Sequence, residues 1–419
     1  MIHSSGHTKR LRILFLFFSE FINKFYGFLL AIVLPFKFGI ETFGRIQFLI
    51  FCLSGLGGIV AANTRTIFTS RRSEFFIKYR LRNYFYSVSI LTAISLFVVY
   101  WGLLCLYVAL NNSAPGRSIS PLELRSIDFI ILFIWAEALL LNSNLSGALF
   151  SIHKIAQVGI LNFLRVVIML FGVAVSKDVV GIVYTLVISD IAFLFFGIKL
   201  FHSCLYETQP GFRKSLLFRL LKNRSNHLLL FGNASILIGL WYFQIVISRG
   251  SNGAENLGVY GLIGKYISLV SIIPGVFLQS FLVLKAVDRK NQRSTFAIFR
   301  NLKFLFVYGL LGNLVLVYGL SYSFNVLNGM SKLQFIIVLQ FLSFSVLMNS
   351  RVSTESASIG NYRALAISDI YLGIFLLILI FFSSLFSVNF IGCLLILSCC
   401  YFFSSIYLLA KLGIENVQR

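Results

Sequence analysis

The chain has 419 residues, of which 58% are hydrophobic and only 12% charged, and it carries a formal net charge of +22. Soluble domains carry roughly 25% charged residues, so this composition excludes a water-soluble globular protein and points to a polytopic membrane protein. The basic loops contain no nucleic-acid-binding module, which argues against nucleic acid as a partner.

Apolar runs of about 20 residues, the length that crosses roughly 30 Å of hydrocarbon at about 1.5 Å per residue, recur from one end of the chain to the other. In order they cover 11–34, 42–64, 83–110, 127–150, 156–176, 179–200, 226–248, 257–284, 304–322, 333–352, 364–386 and 389–410, twelve in all. They are continuous rather than short alternating segments, so each reads as a helix and not as a barrel strand. The first run is too long for a signal-peptide core, carries Glu20 and Lys24 and lacks a small-residue cleavage site; it is expected to be a transmembrane helix. With the N-terminus inside, 26 of the 36 Lys and Arg residues fall on the cytoplasmic side, Arg82 and Lys199 among them, while seven fall outside and three within spans. Both termini are therefore expected to be cytoplasmic, and attraction of the basic loops to anionic membrane lipids is a secondary effect of the same bias.

Gly39-Ile40-Glu41-Thr42-Phe43-Gly44 and Gly253-Ala254-Glu255-Asn256-Leu257-Gly258 share the pattern G-x-E-x-[FL]-G, 214 residues apart. Both sit on the outer side where an inward-running helix begins. Ser151-Ile152-His153-Lys154 and Ser358-Ile359-Gly360-Asn361-Tyr362-Arg363 form a weaker echo at the inner turn before the fifth and eleventh spans. Both pairs fall at the same step of a six-helix cycle, as tandem duplication requires, and an even number of spans makes the halves parallel repeats. The expected architecture is all-α, with a six-helix bundle in 1–207 and another in 208–419. The basic stretch Phe201 to Ser225, with a Pro210-Gly211 turn, forms the join, and substrate is expected between the bundles.

The short outer turn, the G-x-E-x-[FL]-G hexamer and the glycine-containing helix of Gly39 to Arg65 resemble the second-helix region of Wzx-like polysaccharide and O-antigen flippases. These belong to the multidrug/oligosaccharidyl-lipid/polysaccharide exporter superfamily. Gly253 to Lys290 is similar to the matching region of the second half; Ile40 and Ala254 stand where that family often has proline. The resemblance implies a transporter that turns an undecaprenyl-diphosphate-linked oligosaccharide from the inner to the outer leaflet of a bacterial inner membrane. It also implies assembly with a polysaccharide polymerase and a chain-length regulator.

Seven charged side chains lie inside the spans: Glu20, Lys24, Glu137, Arg165, Asp190, Lys265 and Asp369. At about 2.5 to 3.5 kcal/mol each on insertion scales they are tolerated only facing protein or water. Glu20 and Lys24 stand at i and i+4 with Asn23 and Gly27 on the same stripe, so that face of the first helix is expected to line the interior or to neutralise itself. A guanidinium fork matches diphosphate oxygens, which makes Arg165 the first candidate for the substrate head group, with Lys265 and Lys24 beside it. The alternative for Arg165 and Lys265 is a salt bridge with Glu137, Asp190 or Asp369. The carboxylates Asp190, Glu137, Glu20 and Asp369 are candidates for proton or sodium coupling. Asn142, Asn144, Asn233, Gln244, Gln279, Gln340 and Asn349 are expected chiefly to bond between helices. Pro274-Gly275 suggests a kink in the eighth span.

No cofactor and no enzymatic activity are expected. The longest outer loop is about Asn111 to Arg125, too short for a membrane polymerase or ligase site, and the histidines sit at inner span ends or in the N-terminal tail. The six cysteines lack C-x-x-C spacing, giving no support for a zinc or disulfide framework. A multidrug exporter of the same superfamily would share the fold, but cation export calls for an acidic interior, and Lys24, Arg165 and Lys265 make this one mixed.

Overall fold

The computed structural model describes residues 18, 21–22, 27, 30–61, 82, 85–98, 100–101, 126–151, 154–204, 224–248, 253–270, 307, 310–311, 313–314, 317–318, 332–358, 361–385 and 389–417. Glu20, Asn23, Lys24, Gln279, the Pro210-Gly211 and Pro274-Gly275 dipeptides and the outer loop 111–125 lie outside them. The regular elements among the described residues are helical: besides a helical run over 30–38 and helical residues within 307–318, they are α1 (Ile40–Ala61), α2 (Phe85–Val98), α3 (Ser126–Ser151), α4 (Ile155–Val175), α5 (Val179–Cys204), α6 (Arg224–Ile247), α7 (Gly253–Val270), α8 (Lys332–Ser358), α9 (Tyr362–Leu385) and α10 (Phe390–Val417). Six of these, α3, α4, α5, α8, α9 and α10, are long and apolar enough to cross a membrane. The chain is an all-α integral membrane protein.

The distribution of side chains is the reverse of a soluble domain's. Phe171 is 72% exposed and Ile160 67%, whereas Asn144, Ser189, Ser345 and Ser405 are 0% exposed. Hydrocarbon gives no reason to hide Phe or Ile. Inside, Ser189 and Ser405 bond to carbonyls of their own helices and Asn144 bonds across to Thr92.

Backbone geometry repeats between the halves. In the turn before α4, Lys154 N donates to Leu149 O at 3.0 Å and Val158 N to Lys154 O at 3.1 Å; before α9, Asn361 N donates to Ser356 O at 3.0 Å and Leu365 N to Asn361 O at 3.3 Å. The two turns carry the same pair of bonds. The starts of α5 and α10 match as well: Asp178 Oδ1 accepts from Gly181 N at 2.8 Å and Asn389 Oδ1 from Gly392 N at 2.9 Å, each an N-terminal cap with a D/N-x-x-G signature. Packing follows the same plan, since α5 lies against α3 and α4, and α10 against α8 and α9.

The chain divides into a middle unit, Arg45–Asn226, and a split unit formed by Met1–Gly44 with His227–Arg419. Within the split unit the two copies of the hexamer meet. Gly39, at φ 84°, ends the preceding helix and lets α1 start at Ile40, a conformation that costs glycine little and other residues more. A Cβ placed on Gly44 would run into the Ala254 carbonyl and sit 2.6 Å from Gly258 N, while one on Gly258 would run into the Ile40 carbonyl. The contact is reciprocal, each terminal glycine lying on the second residue of the other copy. The repeated glycines thus serve a backbone-to-backbone contact between the two hexamers, at the starts of α1 and α7.

Candidate functional site

The middle unit holds a buried ionic cluster built on three helices. Arg165 of α4 pairs with Asp190 of α5, Nη2 to Oδ1 at 2.6 Å, and the two side chains are 18% and 0% exposed. Trp135 of α3 donates its indole N–H to Asp190 Oδ2 at 2.7 Å. Asn142, two turns further along α3, donates to the Asp190 carbonyl at 3.0 Å and to Oδ1 at 3.3 Å. Fully desolvated, the carboxylate is compensated by one cation and two neutral donors, the arrangement that makes a buried charge tolerable. Asn144 extends the polar seam to α2 through Thr92 Oγ1 at 3.2 Å.

Arg165 and Asp190 are almost equidistant from the α4–α5 turn at Ser176 to Asp178, so antiparallel helices of equal rise bring them to one depth. That mirror relation was available from the spans and selects Asp190 from the three carboxylates left open. Trp135 was not anticipated; its spacing of seven from Asn142 places both on one stripe of α3, which Glu137 leaves. Glu137 is half-buried and does not join the cluster.

In the split unit the equivalent pair of helices, α9 and α10, is joined by neutral groups. The Ser368 and Ser404 hydroxyls lie 2.7 Å apart, and Asn349 of α8 donates to Ser404 Oγ at 2.8 Å. A second cluster joins Asn313 to α8: Asn313 Nδ2 donates to Gln340 Oε1 at 2.6 Å and Ser343 donates to Asn313 Oδ1 at 3.1 Å. Asn142, Asn144, Gln340 and Asn349 thus all bond between helices, the role expected for most of the membrane amides. Asn313, within the span 304–322, was not among the amides expected to do so.

Asp369 of α9 lies beside Ser368 and is 7% exposed. Its environment contrasts with that of Asp190, for no cation or hydrogen-bond donor accompanies its carboxylate among the described residues. Tyr401 of α10 is within its electrostatic reach, and Gly232 of α6 packs against its Cβ. Lys265 of α7 is partly buried, its aliphatic stem and ammonium lying along Gly27 of the first span. Within the middle unit the structure therefore brings Arg165 and Asp190 together and leaves Glu137 apart from them; Asp369 and Lys265 belong to the split unit. Among the described residues no group of three or more His, Cys, Asp or Glu side chains could hold a metal ion.

No family model matches the sequence, and no curated protein does. Solved structures do share its fold. A multidrug-resistance transporter of the MATE family and MOP superfamily, in an inward-facing conformation, superposes with TM-score 0.65 at 14% identity over 96% of this chain and 95% of that one. The MATE multidrug transporter DinF-BH in complex with R6G gives TM-score 0.65 at 12% identity over 97% and 96%. A MOP-superfamily transporter from Pyrococcus furiosus, described as having a binding pocket of reversed polarity that suggests a different function, gives 0.58 at 14% over 98% and 97%. With the apolar helices and buried polar seams, these likenesses define a multi-pass membrane protein with the fold of MOP-superfamily transporters.

Proposed function

We propose that the chain is a flippase of this fold, moving an undecaprenyl-diphosphate-linked oligosaccharide across a bacterial inner membrane by alternating access, driven by a proton or sodium gradient. The observation that carries this reading is a cation at membrane depth in each unit, Arg165 in the middle unit and Lys265 in the split unit. Diphosphate oxygens can compete with Asp190 for the Arg165 fork, so that arrival of the head group frees the carboxylate to take up a cation. Asp369, without a cationic partner among the described residues, is the preferred coupling carboxylate of the split unit. Lys24 and Glu20 on the first span complete the candidate set, and a polymerase and chain-length regulator are the expected assembly partners.

Multidrug export is the second reading. It is favoured by the MATE neighbours, one of them complexed with R6G, and by the buried Asp369 with Tyr401 nearby, a combination suited to an organic cation. The deciding experiment reconstitutes the purified protein in vesicles with a fluorescent undecaprenyl-diphosphate oligosaccharide and, separately, a cationic dye. Leaflet exchange of the glycan lipid without dye transport is the expected result. Dye transport alone would overturn the flippase reading in favour of export.

A further inference from the structure

The inner end of the middle unit holds a buried cation that the transport reading does not use. Arg82 precedes α2 and is only 5% exposed. Among the described residues, neither its Nε nor its Nη2 has a hydrogen-bond partner. Those two N–H groups form one edge of the guanidinium, the edge that receives two oxygens of a phosphate or carboxylate side by side. Both of these atoms are buried. Arg165 is a useful contrast in the same unit, for its Nη2 meets a carboxylate at 2.6 Å.

The surroundings of Arg82 suit an oxyanion. Its charge acts on the Tyr86 hydroxyl, one helical turn further on. Tyr86 OH in turn lies 2.7 Å from His202 Nε2 near the end of α5. Phe85 and Phe201, with ring centroids 4.7 Å apart, hold α2 and α5 together directly beside that polar pair. Lys199, three residues before His202 and exposed, adds a second positive charge at this end of α5. The positive-inside bias places this end at the cytoplasmic leaflet, where phosphate groups of lipids are concentrated.

We infer that Arg82, with Tyr86 and His202, forms a phosphate-binding site at the cytoplasmic end of the middle unit, separate from the Arg165–Asp190 cluster. The bound group is a phosphate monoester or diester of a lipid, gripped side-on by Nε and Nη2 of Arg82, with the Tyr86–His202 pair supplying a further donor. Two sources share this chemistry: a resident anionic phospholipid, and the head group of a polyprenyl diphosphate waiting at the inner leaflet.

The test uses the full chain in nonionic detergent and measures thermal stability as phosphatidylglycerol or undecaprenyl diphosphate is titrated in. Arg82→Gln, Arg82→Lys and Tyr86→Phe serve as variants. Wild type should show a saturable upward shift with at least one of the two lipids. Arg82→Gln should weaken apparent binding by about tenfold or more, since one charge-assisted bond is worth about a factor of ten. Arg82→Lys keeps the charge without the fork and should fall between. Competition then separates the sources: undecaprenyl diphosphate displacing phosphatidylglycerol makes this a station of the polyprenyl lipid, and phosphatidylglycerol binding without displacement makes it a resident lipid site. Equal shifts in wild type and Arg82→Gln, or no saturable shift with either lipid, would overturn the assignment. The lipid-free arm is an independent check on folding: without an occupant, Arg82→Gln removes two buried N–H groups that have no partner among the described residues and should leave the protein at least as stable as wild type. Marked destabilisation there would mean that Arg82 has a protein partner, and would likewise overturn the site.

Discussion

Removing Arg165 takes the cation from a fully buried carboxylate of the middle unit, Asp190. In Arg165→Met the aliphatic bulk remains but Asp190, 0% exposed, keeps only the Trp135 and Asn142 donors. Breaking a buried pair from one side costs about 3–5 kcal/mol. The reverse change, Asp190→Asn, leaves a neutral amide beside a guanidinium that is 18% exposed and can reach water, so its cost should be smaller, about 1–3 kcal/mol. Replacing both, as Arg165→Met with Asp190→Leu, removes both desolvation penalties and should cost less than the two single changes together, with a coupling of about 2–3 kcal/mol. Trp135 is a built-in reporter, being 1% exposed and bonded to Asp190. Tryptophan emission followed during thermal unfolding in detergent should place Arg165→Met roughly 6–20 °C below wild type, at about 2–4 °C per kcal/mol for a unit of this size. Additive single and double changes, or an Asp190→Asn variant less stable than Arg165→Met, would refute this account of the cluster.

The remaining predictions concern the other unit and the duplicated elements. Asp369→Asn should leave the protein folded and monodisperse but abolish dependence of transport on the ion gradient; unchanged gradient dependence in vesicles would move coupling to another carboxylate. Gly44→Leu or Gly258→Leu should separate α1 from α7 and destabilise the protein by about 2 kcal/mol or more, whereas Gly264→Ala, with nothing within 4 Å of the added carbon, should be nearly silent in the same unfolding assay. Asp178→Ala and Asn389→Ala each delete an equivalent helix cap and should each cost about 1 kcal/mol; a large effect at one site and none at the other would argue against their equivalence.

Hydropathy, charge asymmetry and repetition are one-dimensional properties, and they were legible in the sequence. Apolar length alone dictates spanning helices because the bilayer leaves no other way to satisfy the backbone. The hexamers at Gly39 and Gly253 and the turns at Lys154 and Asn361 disclosed a duplication that the matching backbone bonds now display. Seven charges in the spans could likewise be counted.

Which charges meet was decided only in three dimensions. A helix rotates about 100° per residue, so a side chain's partner depends on the rotation and depth of its neighbours, neither of which hydropathy constrains. Arg165 had three candidate carboxylates, and the antiparallel α4–α5 turn selected Asp190, with Trp135 as an unforeseen donor. The same holds for Arg82, counted in the sequence as one more inner cation but buried in the folded chain. Likewise the repeated glycines were visible as a motif, but their purpose, letting one copy's backbone lie against the other's, belongs to the tertiary structure. The sequence by itself determined the solvent each helix must live in; the packing decided which buried polar groups share their burial, because that depends on contacts between segments far apart in the chain.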